Sequence, residues 1–362
     1  MFNLSVNNES TPFNATEMKS RLGVYVFTPA GFTTKLALVL VFSFVGAVGF
    51  VGNVLIFYFI SFKKKVVPYM HCNPFLRNFN FYIKSLALSD ILSNIISLPL
   101  ICIQIMVDVF QHDWACRVVR LIGILLPSIT MNNLMGITVE RYLSTRAVPR
   151  SFSVSTVRKL VLTAWLVGFI VVLGPTATFN GIRHDINDTH YTVVCKYENS
   201  YLPFRIIAVC YALVQHLIPG IILSYLNISV VKTLWTRQRK RIDIQRSNAI
   251  RANLIATKLR GTYLLIAMTF AFIIPYSALL YYGIYVMLAK PSLDFKTDFI
   301  TRYLSAGLLY SSGAINFIIY VVQMEDFRVF LKKLFCCNGN ALNPNLPADG
   351  IQLRAFVIPS NP

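Results

Sequence analysis

The segment VVRLIGILLPSITMNNLMGITVERYL, residues 118–143, joins a long apolar run to an adjacent pair of opposite charges. From Val118 to Val139 only Arg120 is charged, and the run ends in Glu140 and Arg141. In a helix, about 20 apolar residues cover the ~30 Å hydrocarbon core of a bilayer. Charges beside hydrocarbon are costly unless they pair or extend to water. The pair therefore predicts the point where a transmembrane helix meets the membrane surface.

Long apolar segments recur along the whole chain. They lie near residues 36–60, 81–107, 118–139, 160–180, 203–231, 260–288 and 303–322. Only 14% of the 362 residues are charged, compared with about 25% in a typical soluble domain. Because lipid offers no partner to open backbone groups, these segments are expected to be helices. The sequence predicts an all-α membrane protein, a seven-transmembrane helix bundle with little soluble domain.

The net charge of +19 is unevenly distributed between the two sides of the predicted bundle. Of the 34 Lys and Arg residues, 23 lie in the C-terminal tail and in or beside the connections between segments one and two, three and four, and five and six. By contrast, 9 of the 15 acids lie on the opposite side. The positive-inside rule places the basic side in the cytoplasm and the N-terminus outside, as expected for a plasma-membrane protein. Basic segments that flank spans indicate topology, so no nucleic-acid partner is expected.

Acceptor motifs for N-linked glycans agree with this orientation. Asn3, Asn8 and Asn14 lie in the polar N-terminal tail, and Asn187 lies in the 4–5 connection; each begins an Asn-X-Ser/Thr motif. A single motif is weak evidence. Four of the five motifs lie on the predicted outside, which favours an extracellular, glycosylated tail; the fifth, at Asn227, lies at the inner end of the fifth segment, where it should be unused.

Two of the seven cysteines, Cys116 and Cys195, fall on the predicted outside. Cys116 opens the third apolar segment and Cys195 lies in the 4–5 connection. One oxidised bridge between them is predicted for an extracellular environment, and two unrelated thiols are the alternative.

Short motifs in each apolar segment occur in a fixed order. They are GFVGNVLIF with Asn53, SLALSDIL with Asp90, ERY at 140–142, Trp165 with Pro175, Pro219, FIIPY with Pro275, and NFIIY at 316–320. Cys116 lies 25 residues before Arg141. Each motif alone is weak, but together they make the chain, from about residue 36 to 337, resemble the rhodopsin-like G-protein-coupled receptors.

The resemblance implies a receptor that binds an extracellular ligand and activates heterotrimeric G proteins. Arg141 would be held by its acidic neighbour at rest and would meet the C-terminal helix of the G protein when the spans separate. The switch residues implied in this way are Glu140, Arg141, Tyr142, Asn316 and Tyr320. The alternative is an interfacial ion pair with no switch role. No enzyme is expected, because no nucleophile–base pair or metal-ligand cluster rises above background.

Asp90 is the only acid in the middle of a predicted span. A carboxylate in that position must be protonated, hydrogen-bonded or paired with a cation. The resemblance implies a sodium ion, held by Asp90 together with Asn53, Thr130, Ser312 and Asn316. Leu126 and Gly313 stand where many members carry further polar ligands, so a hydrogen-bonded structural acid is the alternative. No other cofactor is expected.

Several switch positions depart from the family pattern. Phe317 replaces the proline expected after Asn316, which predicts a straighter span seven. Ile273 and Thr269 replace the usual Trp and Phe in span six. Asn227 stands where span five offers a Tyr to meet Tyr320, with Tyr225 two residues away. These departures leave high basal activity, or a non-signalling scavenger or decoy receptor, as alternatives.

Beyond Tyr320 the chain has the pattern of an amphipathic helix that lies along the inner leaflet. Phe327, Phe330, Leu331 and Leu334 follow helical spacing. Cys336 and Cys337 follow them, placed for acyl chains or left as free thiols. The predicted organisation is a glycosylated extracellular tail at 1–35, a receptor domain at 36–323, the amphipathic helix at 324–337 and a disordered cytoplasmic tail at 338–362.

Two ligand classes lack the residue that their chemistry needs. Tyr310 stands where retinal receptors carry the Schiff-base lysine, residues 303–322 contain no Lys, and Gly123 stands where amine receptors carry an Asp. The candidate ligand residues in the outer half are Arg120, Tyr211, Gln215, Tyr276, Arg302 and Tyr310. This aromatic mouth favours a peptide, with an acidic small molecule or lipid as the alternative.

Arg120 has two possible roles. It lies one turn below Cys116, so it is expected to point into the bundle, where it could pair bidentately with a ligand carboxylate or phosphate. Alternatively, it forms an internal ion pair with Asp108 or Asp298.

Overall fold

The computed structural model describes residues 23–66, 74–110, 112–146, 148, 150–198, 200–242, 249–291 and 293–336. Seven of its helices are long and apolar enough to cross a membrane, which confirms the predicted fold class. The glycan motifs at Asn3, Asn8 and Asn14, the thiol of Cys337 and the tail 338–362 lie outside the described residues.

The seven spans follow the chain in order, and two of them contain a π-helical turn. Spans one to four comprise Phe32–Val66; Pro74–Leu92, the turn Ser93–Ser97 and Leu98–Met106; Asp113–Ser144; and Val154–Ala177. Spans five to seven comprise Leu202–Ala212, the turn Leu213–Leu217 and Ile218–Ile242; Ala249–Ala289; and Phe295–Tyr310 with Ser312–Gln323. An amphipathic helix, Glu325–Cys336, follows as predicted.

Helix boundaries differ by several residues from those of the apolar segments, as two examples show. Span four ends at Ala177, because the chain turns at Thr178 and Phe179 begins a strand. Span seven begins at Phe295 rather than near residue 303, so its first turn contains Lys296. Lys296 is exposed at the end of the bundle, about four helical turns from Tyr310. It is therefore far from the retinal-lysine position.

Each π-helical turn precedes a proline. Ser93–Ser97 is followed by Pro99, and Leu213–Leu217 is followed by Pro219. Proline removes a backbone donor from a helix and crowds the preceding turn, and a locally widened turn relieves both effects. The sequence analysis did not predict these turns, which turn buried polar side chains such as Asn94 into the bundle.

A small sheet covers one end of the bundle, called here the hairpin end; the opposite end is called the Arg141 end. Strands β2, Phe179–Asn187, and β3, His190–Tyr197, form an antiparallel hairpin, and β1, Val24–Tyr25, pairs with β3 in parallel. The predicted Cys116–Cys195 bridge is present and joins β3 to the start of span three.

Aromatic packing ties the amphipathic helix to spans one and seven. Phe327 is fully buried, with ring centroids 5.2 Å from Phe59 and 6.2 Å from Phe317. Such pairs contribute about 0.5–1.5 kcal/mol beyond their area burial. Span seven is regular through Phe317, as expected without a proline, but its helix is interrupted at Ser311, which was not predicted.

Candidate functional site

Polar side chains form three clusters inside the bundle. The Arg141 cluster lies at the Arg141 end, the Asp90 cluster lies in the middle, and the Asp298 cluster lies at the hairpin end. Together they hold most of the residues that the sequence singled out.

Arg141 is 4% exposed and packs between two other spans. Its Cζ lies 4.4 Å from the ring centroid of Phe79 in span two, a cation–π contact of about 0.5–2 kcal/mol. In span six, a Cβ added to Gly261 would lie 3.2 Å from Nη2 of Arg141. The missing side chain therefore lets span six approach the guanidinium closely.

Glu140 is held by Asn78, a residue that the sequence analysis did not single out. Asn78 Nδ2 donates to Glu140 Oε1 at 2.6 Å and to the carbonyl of Phe152 at 2.8 Å. Asn78 thus joins span two to the end of span three and to the connection that precedes span four. In the sequence, its only signal was an amide side chain in the first turns of span two.

Three further switch residues have defined surroundings. Tyr142 is half-buried, with Cζ of Arg146 4.7 Å from its ring centroid. Tyr320 is buried, and its hydroxyl has no hydrogen-bond partner among the described residues. Asn227 is buried, whereas Tyr225 is 65% exposed on the outer face of the bundle and cannot replace the missing Tyr.

The Asp90 cluster is built from spans two, three and seven. Asn316 Nδ2 donates to Asp90 Oδ2 at 3.0 Å, and Asn94 Nδ2 donates to the Asp90 carbonyl at 2.7 Å. The hydroxyl groups of Ser89 and Thr130 lie 3.0 Å apart.

A small cavity beside Asp90 has room for about one water-sized particle. Of the five residues predicted to hold sodium, Asp90, Thr130 and Ser312 line it, and Asn316 reaches it through its bond to Asp90. Asn53 instead donates to the carbonyls of Gly49 and Gly313.

Asn94 is the cavity residue that the sequence analysis missed. A Cβ added to Gly313 would lie 3.1 Å from Asn94 Nδ2, so the amide uses the space that glycine leaves. Oδ1 of Asn94 and of Asn316 is buried without a hydrogen-bond partner among the described residues. Carboxylate, amide and hydroxyl oxygens are the ligands that hard cations prefer. The donor set fits a small cation.

Tyr310 donates to a backbone carbonyl of span three that Pro127 leaves without its helical partner. Pro127 has no N–H to donate to the carbonyl of Gly123, four residues earlier, and Tyr310 Oη donates to that carbonyl at 2.9 Å. Tyr310 is buried and also lines the Asp90 cavity. The structure places this predicted ligand residue between the hairpin end and the Asp90 cluster.

Three other predicted ligand residues are linked to one another across spans three, five and six. Tyr211 Oη lies 2.7 Å from Tyr276 Oη and 2.9 Å from Ser128 Oγ, and Gln215 Nε2 donates to the Ser128 carbonyl at 3.1 Å. Tyr211, Tyr276 and Gln215 are all buried. They form the floor beneath the hairpin end.

The Asp298 cluster contains the predicted Arg302 and two residues from other elements. Arg302 Nη2 donates to both carboxylate oxygens of Asp298, at 2.8 and 2.7 Å. Lys196 Nζ lies 2.9 Å from Asp298 Oδ2, and Tyr282 Oη donates to Asp298 Oδ1 at 2.8 Å. Burial, followed by the neighbouring Arg302 cation, lowers the pKa of Lys196.

Arg120 points into the bundle but contacts backbone rather than a carboxylate. Its Nη2 donates to the Cys195 carbonyl at 3.2 Å and its Nε lies 3.4 Å from Cys195 Sγ. Within the part of the chain that is described, no salt bridge joins Arg120 to an acid. Asp298 pairs with Arg302 and Lys196 instead, and Asp108 accepts a hydrogen bond from Tyr25 Oη at 2.6 Å.

Two predicted modification sites, Asn187 and Cys336, lie at opposite ends of the described structure. Asn187 is exposed at the tip of the hairpin, where its Oδ1 accepts from the backbone N–H groups of Thr189 and His190 at 3.0 and 2.8 Å. Cys336 is the last residue of the amphipathic helix. Glycosylation and lipidation remain predictions.

Comparison with known proteins gives the same family. The model for the 7 transmembrane receptor (rhodopsin family) matches residues 52–320. The chain is 28% identical over 170 residues to adenosine receptor A3 of Ovis aries, covering 46% of this chain and 50% of that receptor. It is 24% identical over 313 residues to a QRFP-like peptide receptor of Branchiostoma floridae, covering 80% and 79%.

Among solved structures, squid rhodopsin matches with a TM-score of 0.68 and 18% identity, covering 88% of this chain and 94% of that one. At this identity the likeness shows the fold alone. The family model spans well over half of the chain, and its members are signalling receptors. The chain belongs to the rhodopsin family of seven-transmembrane receptors.

Proposed function

We propose that this protein is a plasma-membrane receptor that binds an extracellular peptide and activates heterotrimeric G proteins. The hairpin end faces outside and the Arg141 end faces the cytoplasm. This orientation is supported by the excess of Lys and Arg around the Arg141 end and by the exposed glycan motif at Asn187.

A peptide ligand is supported by the aromatic lining of the hairpin end and by one relative. That relative from Branchiostoma floridae is named a peptide receptor. Two strands and a disulfide fix the hairpin above the mouth, which suits a ligand with broad, amphipathic contacts.

The observation that carries the proposal is the burial of Arg141 between Phe79 and Gly261. A buried guanidinium at a membrane surface is costly unless the protein compensates it. Separation of spans two, three and six would expose Arg141 to a partner, such as the C-terminal helix of a G protein. In the resting arrangement the guanidinium of Arg141 is therefore buried and cannot yet contact the G protein.

A sodium ion in the Asp90 cavity is part of the proposal. Asp90, Asn94, Thr130 and Ser312 would hold it, and a bound ion would neutralise the carboxylate. Such an ion would favour the packing of spans two, three and seven that forms the cavity, because only that packing gathers the donors.

Guanine-nucleotide exchange on a panel of G-protein heterotrimers tests the proposal. Membranes would carry the wild type, Arg141→Ala, or Arg150→Ala as a matched control, since Arg150 is an exposed arginine in the adjacent connection. We expect exchange above background in the wild type and the control, and none in Arg141→Ala. If peptide agonists are found by binding and still no heterotrimer responds, the protein is a scavenger or decoy receptor.

A further inference from the structure

The hairpin end carries more positive than negative charge at one point. Arg120, Lys196 and Arg302 converge there from span three, β3 and span seven. Asp298 pairs with Lys196 and Arg302, and among the described residues no carboxylate forms a salt bridge with Arg120. The side chains are poorly exposed, 20% for Lys196, 16% for Arg302 and 6% for Asp298. One carboxylate therefore faces three cations in a partly dry environment.

The two arginines also share one acceptor. Arg120 Nη2 and Arg302 Nη1 both donate to the carbonyl of Cys195, at 3.2 and 3.4 Å. The two guanidinium groups must therefore lie side by side. Like charges repel each other more strongly in such a partly dry environment than in water. A neutral carbonyl cannot offset that repulsion, whereas an anion can.

Donors remain available at this point. Nε of Arg302 is buried without a hydrogen-bond partner in the part of the chain that the structure describes. A guanidinium binds carboxylate and phosphate through parallel N–H donors. Both carboxylate oxygens of Asp298 already accept from Nη2 of Arg302, and this leaves Nε unused. This contact shows that Arg302 can bind a carboxylate.

We propose that Arg120 and Arg302 form an anion-binding site that anchors a carboxylate or phosphate group of the extracellular ligand. The assignment to a ligand rests on the receptor function proposed above. Asp298 is the internal carboxylate that holds Arg302 and Lys196 in place and competes with the incoming anion. Because Cys195 is bonded to Cys116, an anion here would bring β3, span three and span seven together.

Thermal unfolding of the purified full-length receptor in detergent tests the site without a known ligand. The probes are sodium acetate, sodium phosphate and neutral acetamide, with the total sodium concentration held constant by sodium chloride. We expect a saturable rise in Tm of about 1–2 °C, which is the size expected for weak binding to a chain of 362 residues. Acetate or phosphate should produce it and acetamide should not. The more effective anion identifies the ligand group.

Variants locate the effect. Arg120→Gln and Arg302→Gln should lose the anion response, and Arg183→Gln, an exposed arginine on the same hairpin, should keep it. Asp298→Asn should respond at a several-fold lower anion concentration, because the competing charge is removed. If Arg302→Gln does not fold, Arg120→Lys replaces it; this variant keeps the charge, loses the planar fork and should weaken the response.

Two results would overturn the inference. One is a Tm that rises no more with acetate or phosphate than with chloride in both the wild type and Asp298→Asn. The other is an anion response that persists unchanged in Arg120→Gln and Arg302→Gln. Neither readout involves a G protein, so failure of the exchange assay and failure of the anion site are distinguishable.

Discussion

The guanidinium of Arg141 stacks on the ring of Phe79, with Cζ 4.4 Å from the ring centroid. The family resemblance implied that the neighbouring Glu140 holds this arginine, which stays a prediction. In the structure, Asn78 binds Glu140, and an aromatic ring from span two covers the guanidinium. Span six contributes a glycine rather than an acid at the same place. Packing against Phe79 and Gly261 thus buries Arg141 at its end of the bundle.

Gly261→Ala should raise ligand-independent nucleotide exchange. The new Cβ would lie 3.2 Å from Arg141 Nη2 and would press span six away from the guanidinium. Loss of about 0.5–1 kcal/mol of closed-state packing corresponds to about a two- to five-fold rise in basal exchange. Gly283→Ala in the same span is the control, because its Cβ would meet only an ordinary contact at 3.6 Å. Equal effects of the two substitutions would show that helix propensity, not Arg141, is responsible.

Tyr310→Phe should lower stability without removing a side chain from the core. The substitution leaves the carbonyl of Gly123 without the donor that Pro127 cannot supply. An unsatisfied buried acceptor costs about 1–3 kcal/mol, so Tm should fall by several degrees. Tyr303→Phe is the control, since the Tyr303 hydroxyl makes no hydrogen bond with another described residue. If the Tm of Tyr310→Phe equals that of the control, the hydrogen bond from Tyr310 to the Gly123 carbonyl does not stabilise the protein.

Sodium should stabilise the receptor through the Asp90 cavity. Replacing choline chloride with sodium chloride should raise Tm, and a free ion at ten times its Kd contributes about 1.4 kcal/mol. Asp90→Asn should abolish the difference between the two salts. Asn94→Leu should reduce it, because it removes an oxygen donor that lines the cavity. A wild type that unfolds at the same temperature in both salts would show that Asp90 is a hydrogen-bonded structural acid.

The hairpin tip should carry a glycan if the proposed orientation is correct. Treatment of the expressed protein with a peptide N-glycosidase should lower its apparent mass, and Asn187→Gln should remove one step of that shift. The exposed turn at Asn187 leaves room for the sugar. Absence of the step, with glycans still present on the N-terminal tail, would show that Asn187 is unused.

The bundle could be predicted from the sequence because length and polarity decide it. Seven apolar segments, the Cys116–Cys195 bridge and the amphipathic helix all follow from local patterns, and all are present. Span ends were less predictable. Phe179 continues an apolar run in the sequence, but the register of the hairpin places it in β2.

The polar clusters depended on contacts between distant segments. Asn94 gave no local signal, because its place in the Asp90 cavity depends on a π-helical turn and on the space left at Gly313. Asn78 reaches Glu140 only because spans two and three cross there. Arg120 was correctly expected to face the bundle, yet its partner is a hairpin carbonyl that no residue pattern encodes.

The central claim is that Arg141 is a G-protein docking group and that Phe79 keeps it buried. Nucleotide exchange in a double-mutant cycle tests this claim. The four proteins are the wild type, Phe79→Leu, Arg141→Ala and the double mutant, at matched surface expression. We predict that Phe79→Leu raises ligand-independent exchange several-fold in the wild-type background and changes nothing when Arg141 is absent. The same increase in both backgrounds would contradict the account, because Phe79 would then act on the bundle without Arg141.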